Sequence, residues 1–272
     1  MLRFLQHRIG DRRVFRLIQK GVKAGVSEEG TWSETKVGTP QGAVISPLLA
    51  NIYLHYVLDL WVRRWRQKQA YGEVIRVRYA DDFVMGFQYR AEAERFLEAL
   101  RERLEKFGRE LHPEKTRLIE FGRFAVSNRK PRGEGKPETF NFLGFTPIGG
   151  RTRTRGQFTV RRKSIAKRLR AKLREVKEQL RRRWHEPIAE RGAWLRSVVQ
   201  GYVNYHAVPG NYGSLETFRR EVMRAWHWAL KRRSQRARMP WARYGALADR
   251  WLPRPRILHS YPSVRFAVMH PR

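Results

Sequence analysis

Residues 74–87 read VIRVRYADDFVMGF, and the pattern of this stretch indicates the local fold most clearly. Two short runs rich in β-formers, Val74 to Tyr79 and Phe83 to Phe87, are joined through Ala80, Asp81 and Asp82. Such runs around a short polar turn predict a β-hairpin. Two carboxylates at its tip would form a rigid, exposed pair of oxygen ligands suited to Mg²⁺ in phosphoryl transfer. Because Asp is a common turn residue, an isolated Asp-Asp pair is explained more simply as turn chemistry.

Helical patterns flank this hairpin on both sides. Ser46 supplies a capping hydroxyl and Pro47 suits the first helical position, so a helix is predicted from there to about Arg66. Residues 91–107 carry apolar side chains at helical spacing among many charges, and residues 1–26 also have helical periodicity. Strands covered by helices on one face predict an α+β fold.

The charge of the chain indicates its class of partner. Lys and Arg number 58 against 25 Asp plus Glu, which gives 272 residues a formal net charge of +33. A compact molecule with this charge repels itself unless a polyanion is near, so nucleic acid is the expected partner. Charge alone does not separate an enzyme from a ribosomal or nucleoid-type binding protein.

Several other classes of protein are disfavoured. The chain has no cysteine, so it has no disulfide framework, no thiolate zinc site and no cysteine nucleophile. The eight histidines show no ligand spacing, and none is assigned to a metal. Basic residues interrupt every apolar run before it reaches the roughly 18 residues that a membrane span requires, so no membrane partner and a soluble intracellular protein are expected.

A second motif, GTPQG at residues 38–42, precedes the helix predicted from Ser46. Gly38 and Gly42 permit close approach of the backbone to a ligand, and Gln41 can present its amide to a base or a sugar. The following helix N-terminus favours phosphate. An ordinary Gly-Pro turn explains the glycines and Pro40 equally well but gives no role to Gln41.

GTPQGAVISPLLANIYL, YADDFVMGF, LHPEKT and FNFLGF occur in that order and resemble successive palm motifs of reverse transcriptases, especially those encoded by bacterial group II introns. The resemblance implies Mg²⁺ and dNTP as cofactor and substrate, and a partial palm, an antiparallel sheet with helices on one face. The residues implied are Asp81 and Asp82 as catalytic metal ligands, Lys115 as the group that protonates departing pyrophosphate, Gly38, Pro40, Gln41, Gly42, Tyr79 and Ala80 in the dNTP pocket, and Phe142, Leu143 and Gly144 in a primer grip.

The composition shifts beyond Gly150. Residues 151–196 contain 17 Lys or Arg and 4 Glu, and Ile165, Leu169, Leu173, Val176, Leu180 and Trp184 predict one apolar seam on a basic helix. Further helices are predicted at about 194–206 and 215–231, and Trp184, Trp194, Trp226 and Trp228 are expected in the core. By resemblance this all-α bundle is the thumb and maturase region. The expected RNA-binding residues are Arg161, Arg162, Lys163, Lys167, Arg168, Arg170, Lys172 and Arg174.

The predicted domains are therefore a partial palm at residues 1–148, a helical thumb and maturase-specific domain at 149–238, and a basic extension at 239–272. Residues 123–139, rich in Gly, Pro and charge, predict an exposed loop, and FNFLGF then predicts a strand. The tail beyond Met239 predicts little secondary structure. Tyr202, Tyr205 and His206 would stack on unpaired bases if they are exposed.

One part of the family pattern has no counterpart here. The first palm strand, with the first catalytic Asp, would precede residue 1, and Asp11 instead has the context of a helix start. With one metal ligand missing, little polymerase activity is expected from the chain alone.

The resemblance thus implies an RNA-directed DNA polymerase and maturase, expected to be incomplete in this chain, that acts on intron RNA, a template and primer, and target DNA in the bacterial cytoplasm. A homodimer and a complementary upstream fragment are further expected partners, and the upstream fragment would restore the site. A noncatalytic intron RNA-binding maturase module and an inactive truncated remnant are the alternatives.

Overall fold

The structure is a computed structural model that describes residues 2–23, 26–28, 31–33, 45–152, 154–232 and 239–262. The chain divides into two compact units, Met1–Leu118 and Ile119–Arg272. Helices and small antiparallel sheets are mixed along the chain, so the α+β class is confirmed. Within the described ranges, no helix is both long and apolar enough to cross a membrane.

The first unit contains five α-helices and two hairpins among its described residues. Its helices are α1 (Leu2–Gln6), α2 (Arg12–Lys23), α3 (Ser46–Leu54), α4 (Leu60–Gln69) and α5 (Arg90–Glu105), with a π-helical turn at His55–Asp59 between α3 and α4. Its strands are β1 (Val26–Glu28), β2 (Thr31–Ser33), β3 (Val74–Tyr79) and β4 (Asp82–Phe87). Each hairpin is a separate two-stranded antiparallel sheet.

One apolar cluster holds α4, α5 and the β3–β4 hairpin together. Trp65 of α4 and Phe96 of α5 are each 3% exposed, and their rings meet edge to face at 4.9 Å. Val74, Phe83, Met85 and Phe87 point from one face of the hairpin into this cluster. Burial of each large side chain contributes about 1.5–3 kcal/mol, so the hairpin depends on its helices for stability.

The second unit contains the remaining helices and the third hairpin. The described elements are α6 (Ala125–Arg129), a 3₁₀ turn (Lys130–Arg132), β5 (Phe145–Arg151), β6 (Phe158–Ser164), α7 (Ala166–Arg182), α8 (Ile188–His206), α9 (Tyr212–Lys231) and α10 (Trp241–Trp251). Leu173, Val176 and Leu180 of the predicted seam are buried against α8 and α9. The predicted domain boundary at residues 148 and 149 falls inside β5 and stays a prediction, as does the one at 238 and 239.

Several local predictions about the first unit need correction. The helix expected over residues 1–26 is two helices, because the first helix ends at Gln6 and the second begins at Arg12. Asp11 precedes the second helix as expected, and its carboxylate accepts a hydrogen bond from the Arg13 amide at 2.7 Å. Ser46 does not cap α3. Ile45 occupies the cap position without a side-chain hydrogen bond, and Ser46 is already helical.

Other corrections concern the second unit. Residues 123–139 contain α6 and the 3₁₀ turn rather than only a loop, and the tail beyond Met239 contains α10. Arg161 to Lys163 lie on β6, not on the basic helix. Trp226 is fully buried as expected, whereas Trp228 is 46% exposed because it lies on the outer face of α9.

Candidate catalytic turn and nucleic-acid surface

The β3–β4 hairpin closes through a two-residue turn, Ala80 and Asp81. Tyr79 pairs with Asp82 at the last register position, and Ala80 has a left-handed φ of 52°. Both carboxylate residues, Asp81 and Asp82, are exposed. The sequence prediction of two adjacent carboxylates at an exposed hairpin tip is therefore borne out in geometry, while their catalytic role stays a prediction.

Arg78 holds the backbone of this turn. Its Nη1 donates to the carbonyl oxygen of Ala80 at 2.8 Å and to Oδ1 of Asn51 at 2.8 Å. Its Nε and Nη2 donate to the two carboxylate oxygens of Asp59 at 2.8 and 2.7 Å. Such bidentate pairs fix both position and orientation, so the turn is tied to the helices behind it.

Asp59 is the centre of this network. Its side chain is 11% exposed, and Arg76 also donates to its Oδ1, at 2.6 Å. Two guanidinium groups around one carboxylate compensate for its removal from water. His55 lies at the edge of the network, with Nδ1 3.6 Å from Oδ2 of Asp59.

The π-helical turn explains why Asn51 and Asp59 face the same arginine. In a regular α-helix, residues eight apart lie about 80° apart around the axis, because each residue turns the helix by about 100°. The turn at His55–Asp59 inserts one extra residue, which reduces the separation to about 20°. The irregular helix therefore places an amide and a carboxylate side by side beneath the hairpin.

Lys115 lies on an exposed turn after α5, where its amide donates to the carbonyl oxygen of His112 at 3.2 Å. Within the described part of the chain, no ion pair joins Lys115 to Asp81 or Asp82. The expected dNTP-pocket residues Tyr79 and Ala80 adjoin the carboxylates. Their expected companions Gly38, Pro40, Gln41 and Gly42 lie outside the described residues.

FNFLGF forms a tight turn rather than the expected strand. Leu143 and Gly144 have positive φ values of 47° and 81°, and Phe142 and Phe145 exchange backbone hydrogen bonds across them. The Tyr205 hydroxyl of α8 donates to the Leu143 carbonyl at 2.9 Å, and a Cβ added at Gly144 would lie 3.3 Å from the Tyr205 ring. The two-residue turn requires this left-handed conformation, and Tyr205 contacts the turn from α8.

A strongly basic surface runs along β6 and the outer side of α7. We call the eight residues predicted to bind RNA the α7 basic surface; they are Arg161, Arg162, Lys163, Lys167, Arg168, Arg170, Lys172 and Arg174. Lys172 pairs with Glu175 at 2.7 Å. Within the described ranges, no carboxylate lies within 4 Å of the other seven cations, so most of this charge is uncompensated by the protein.

Comparison with known families identifies the unit that contains the carboxylate turn. The sequence profile of the family described as reverse transcriptase (RNA-dependent DNA polymerase) matches residues 5–147, more than half of the chain. The chain belongs to this reverse transcriptase family. The match includes the Asp81–Asp82 turn, Lys115 and the turn at Leu143.

Two of three relatives of this reverse transcriptase are described as intron proteins. It is 38% identical over 82 residues to a protein of Schizosaccharomyces pombe described as an uncharacterized 91 kDa protein in cob intron. It is 48% identical over 61 residues to the group II intron-encoded protein LtrA of Lactococcus lactis subsp. cremoris, and 34% identical to protein YkfC of Escherichia coli K12. These alignments cover 30%, 22% and 31% of this chain, respectively.

The same alignments cover 10%, 10% and 29% of the three relatives, so the chain spans less than a third of each relative's length. The similarity to intron-encoded proteins therefore supports the group II intron resemblance of the sequence motifs. The activities and partners of such a longer protein are proposals for this chain.

Sequence reasoning about this reverse transcriptase missed the residues behind the turn. The sequence motifs assign no role to Asn51, Asp59 or Arg78. Two signals in the sequence could have indicated them: the carboxylate of Asp59 in an apolar helix, and arginines at alternate positions of the predicted strand. Alternation places Arg76 and Arg78 on the same face of β3, and an inward-facing cation requires a buried anion.

Proposed function

We propose that the chain is part of a group II intron-encoded reverse transcriptase that adds dNTPs to a primer on an RNA template. On this proposal the first unit is part of the palm, and the helices of the second unit are thumb and maturase elements. The observation that carries the proposal is the exposed Asp81–Asp82 turn, anchored by Arg78 within the segment that matches the reverse transcriptase family.

The carboxylate turn fits a magnesium site in its donor chemistry. Mg²⁺ prefers hard oxygen ligands and keeps several waters or substrate phosphates in its coordination sphere. Asp81 and Asp82 would supply two such ligands, and the described residues contain no cluster of three or more His, Cys, Asp or Glu. When bound, the metal would polarise the reacting phosphate and neutralise the developing charge.

The protein's own task at this turn is positioning. Phosphoryl transfer depends on the placement of the reacting groups more than on covalent participation by the enzyme. Arg78 bonds the Ala80 carbonyl, so the backbone between Tyr79 and Asp82 would keep its conformation when substrate arrives. Tyr79 and Ala80 would then contact the incoming dNTP.

Lys115 and the turn at Phe142, Leu143 and Gly144 also belong to the proposed machinery. Lys115 would donate a proton to departing pyrophosphate, and its exposed side chain is accessible to a bound substrate. The turn would hold the primer end, because its backbone is fixed by Tyr205 and by the Ile165 amide, which donates to Gly144 at 3.1 Å.

Primer extension on an RNA template tests the polymerase proposal. We expect the chain alone to give little Mg²⁺-dependent extension of a DNA primer, and we expect Asp81→Asn to reduce that residual extension at least about a hundredfold, because a lost ligand misplaces the reacting groups. Glu98→Gln, which removes an exposed carboxylate from α5, is the matched control and should extend normally. Extension that survives Asp81→Asn would refute the proposed role of the turn.

A second function is supported by the α7 basic surface. An uncompensated cationic surface binds RNA mainly through phosphates, so the chain would stabilise folded intron RNA as a maturase even without extension. We expect the double variant Arg168→Glu, Lys172→Glu to weaken intron RNA binding and to lower its salt dependence. Each lost phosphate contact reduces the slope of log K against log salt by about 0.7–0.9.

The control for this surface is a pair of charge reversals elsewhere. Arg243→Glu with Arg256→Glu changes the net charge equally at exposed positions of the same unit. Equal loss of affinity in both double variants would show that only total charge matters and would remove the α7 basic surface from the interface. Tight RNA binding without any extension would favour the maturase role over the polymerase role.

A further inference from the structure

A cleft opens between α7 and α8 beside the turn at Leu143. It has a volume of about 440 Å³. Its lining includes Arg168, Leu169 and Lys172 from α7 and Gly201, Tyr202 and Tyr205 from α8. This volume is within the range of about 300–1,000 Å³ that is typical of small-molecule sites, so one nucleotide is a reasonable size of occupant.

Gly201 is an unusual residue for the wall of this cleft. It lies in the interior of α8, where glycine costs roughly 0.5–1 kcal/mol of stability relative to alanine. Tight packing would explain the glycine, but a Cβ built at this position meets no heavy atom within 4 Å. Gly192 on the same helix is different, because its Cβ would lie 2.6 Å from the Trp251 ring. The space in front of Gly201 is thus open.

The walls of the cleft combine flat apolar surface with positive charge. Tyr205 is 56% exposed and Tyr202 is buried in a stack on Phe218, so the aromatic wall is rigid on its inner side. Arg168 lies on the rim, and no described carboxylate lies within 4 Å of its guanidinium. Lys172, on the same rim, is half-buried beside Glu175.

His206 adds a neutral polar group at the inner end. Its Nδ1 lies 3.2 Å from the Ser164 hydroxyl, and Asn211 donates to that hydroxyl at 2.9 Å and to the His206 carbonyl at 2.8 Å. Burial, and secondarily the charge of Arg168, lowers the pKa of His206. The inner end of the cleft is therefore polar and fixed, while its positive charge lies at the mouth.

We propose that this cleft receives one unpaired nucleotide of an RNA strand bound along the α7 basic surface. The base would stack on Tyr205 over the open backbone of Gly201, and its flanking phosphates would contact Arg168 and Lys172. A paired base remains in its helix and does not enter such a slot, so recognition falls on bulges and single strands. The inference rests on the RNA-binding function proposed above and adds the kind of RNA feature that is recognised.

The test uses glycine replacements that fill space without disturbing the fold. Gly201→Leu adds a side chain on the wall of the cleft, at a position whose Cβ meets no heavy atom within 4 Å. Gly213→Leu is the matched control, because Gly213 is an exposed glycine of α9 whose Cβ also meets nothing within 4 Å. The probe is an RNA hairpin with a single bulged 2-aminopurine nucleotide, compared with the same hairpin fully paired, and affinity is measured by fluorescence anisotropy at fixed salt.

We expect the wild-type chain to bind the bulged hairpin about tenfold more tightly than the paired one, because stacking of one base on an aromatic side chain is worth about 1–3 kcal/mol. Gly201→Leu should remove this preference and the accompanying change in 2-aminopurine fluorescence, while Gly213→Leu should keep both. A bulged DNA hairpin that shows the same preference would overturn the assignment to RNA.

The outcomes separate this inference from the proposed RNA-binding function. Persistence of the preference in Gly201→Leu, or its absence in the wild type, overturns the nucleotide site. In either case a reduced salt slope in the Arg168→Glu, Lys172→Glu variant would still support the α7 basic surface. Unchanged salt dependence in that variant, together with no preference for the bulge, would reject both proposals.

Discussion

Replacement of Asp59 by asparagine should loosen the β3–β4 hairpin. The substitution keeps the size of the side chain but removes the negative charge that Arg76 and Arg78 share at 2.6–2.8 Å. Loss of one partner from a buried ion pair costs about 3–5 kcal/mol, since the remaining charges stay uncompensated. We expect the lower limit, about 3 kcal/mol, because the Arg76 side chain is 29% exposed and can reach water.

Hydrogen–deuterium exchange measures this effect locally, without assuming that the two units unfold together. About 3 kcal/mol corresponds to roughly a hundredfold faster exchange of the β3 and β4 amides in peptides that cover residues 74–87. Glu94→Gln, which removes a surface pair with Arg90 on α5, should change exchange by no more than about twofold. An Asp59→Asn hairpin that exchanges within threefold of wild type would refute the anchoring role of Asp59.

Two further predictions concern α8. Gly192→Ala should destabilise the second unit by about 1–3 kcal/mol because its Cβ meets the Trp251 ring at 2.6 Å. Gly201→Ala should instead stabilise this unit by about 0.5–1 kcal/mol. Urea unfolding monitored by fluorescence measures both changes in the free energy of unfolding. The pKa of His206 is lowered in the folded state, so the unfolded chain binds a proton more readily. The contribution of His206 to stability is therefore full above pH 6.5 and is lost as the pH falls through the folded pKa. His206→Gln should flatten this pH dependence of the thermal unfolding temperature.

Elements with strong local periodicity could be predicted from the sequence. The seam of Leu173, Val176 and Leu180 emerges as the buried face of α7, because its 3–4 residue spacing is the period of the helix itself. The hairpin of β3 and β4 could be predicted equally well, since β-rich runs flank the short turn at Ala80 and Asp81. Beyond these, β6 was missed because three consecutive basic residues, 161–163, hide the alternation of its exposed and inner side chains.

The carboxylates of the candidate site could be predicted from the sequence, but the hydrogen-bond network that holds their turn could not. Motif order identified Asp81 and Asp82, yet the network that holds their turn joins Arg78 to Asp59, 19 positions earlier in the chain. That contact depends on the π-helical turn, and the spacing of apolar residues in the sequence does not predict the extra residue of this turn. The left-handed turn at Leu143 is likewise supported by Tyr205, 62 positions away, whose hydroxyl donates to the Leu143 carbonyl.

Cleavage of the chain by bound Fe²⁺ shows whether Asp81 and Asp82 form a metal-binding turn. Fe²⁺ replaces Mg²⁺ at oxygen sites and, with ascorbate and peroxide, cuts the backbone near the ion. We expect cuts close to residues 79–83 that Mg²⁺ suppresses. These cuts should disappear in the double variant Asp81→Asn, Asp82→Asn and persist in Glu94→Gln. Absence of cleavage there, or cleavage that the double variant retains, would contradict a metal-binding role for this turn.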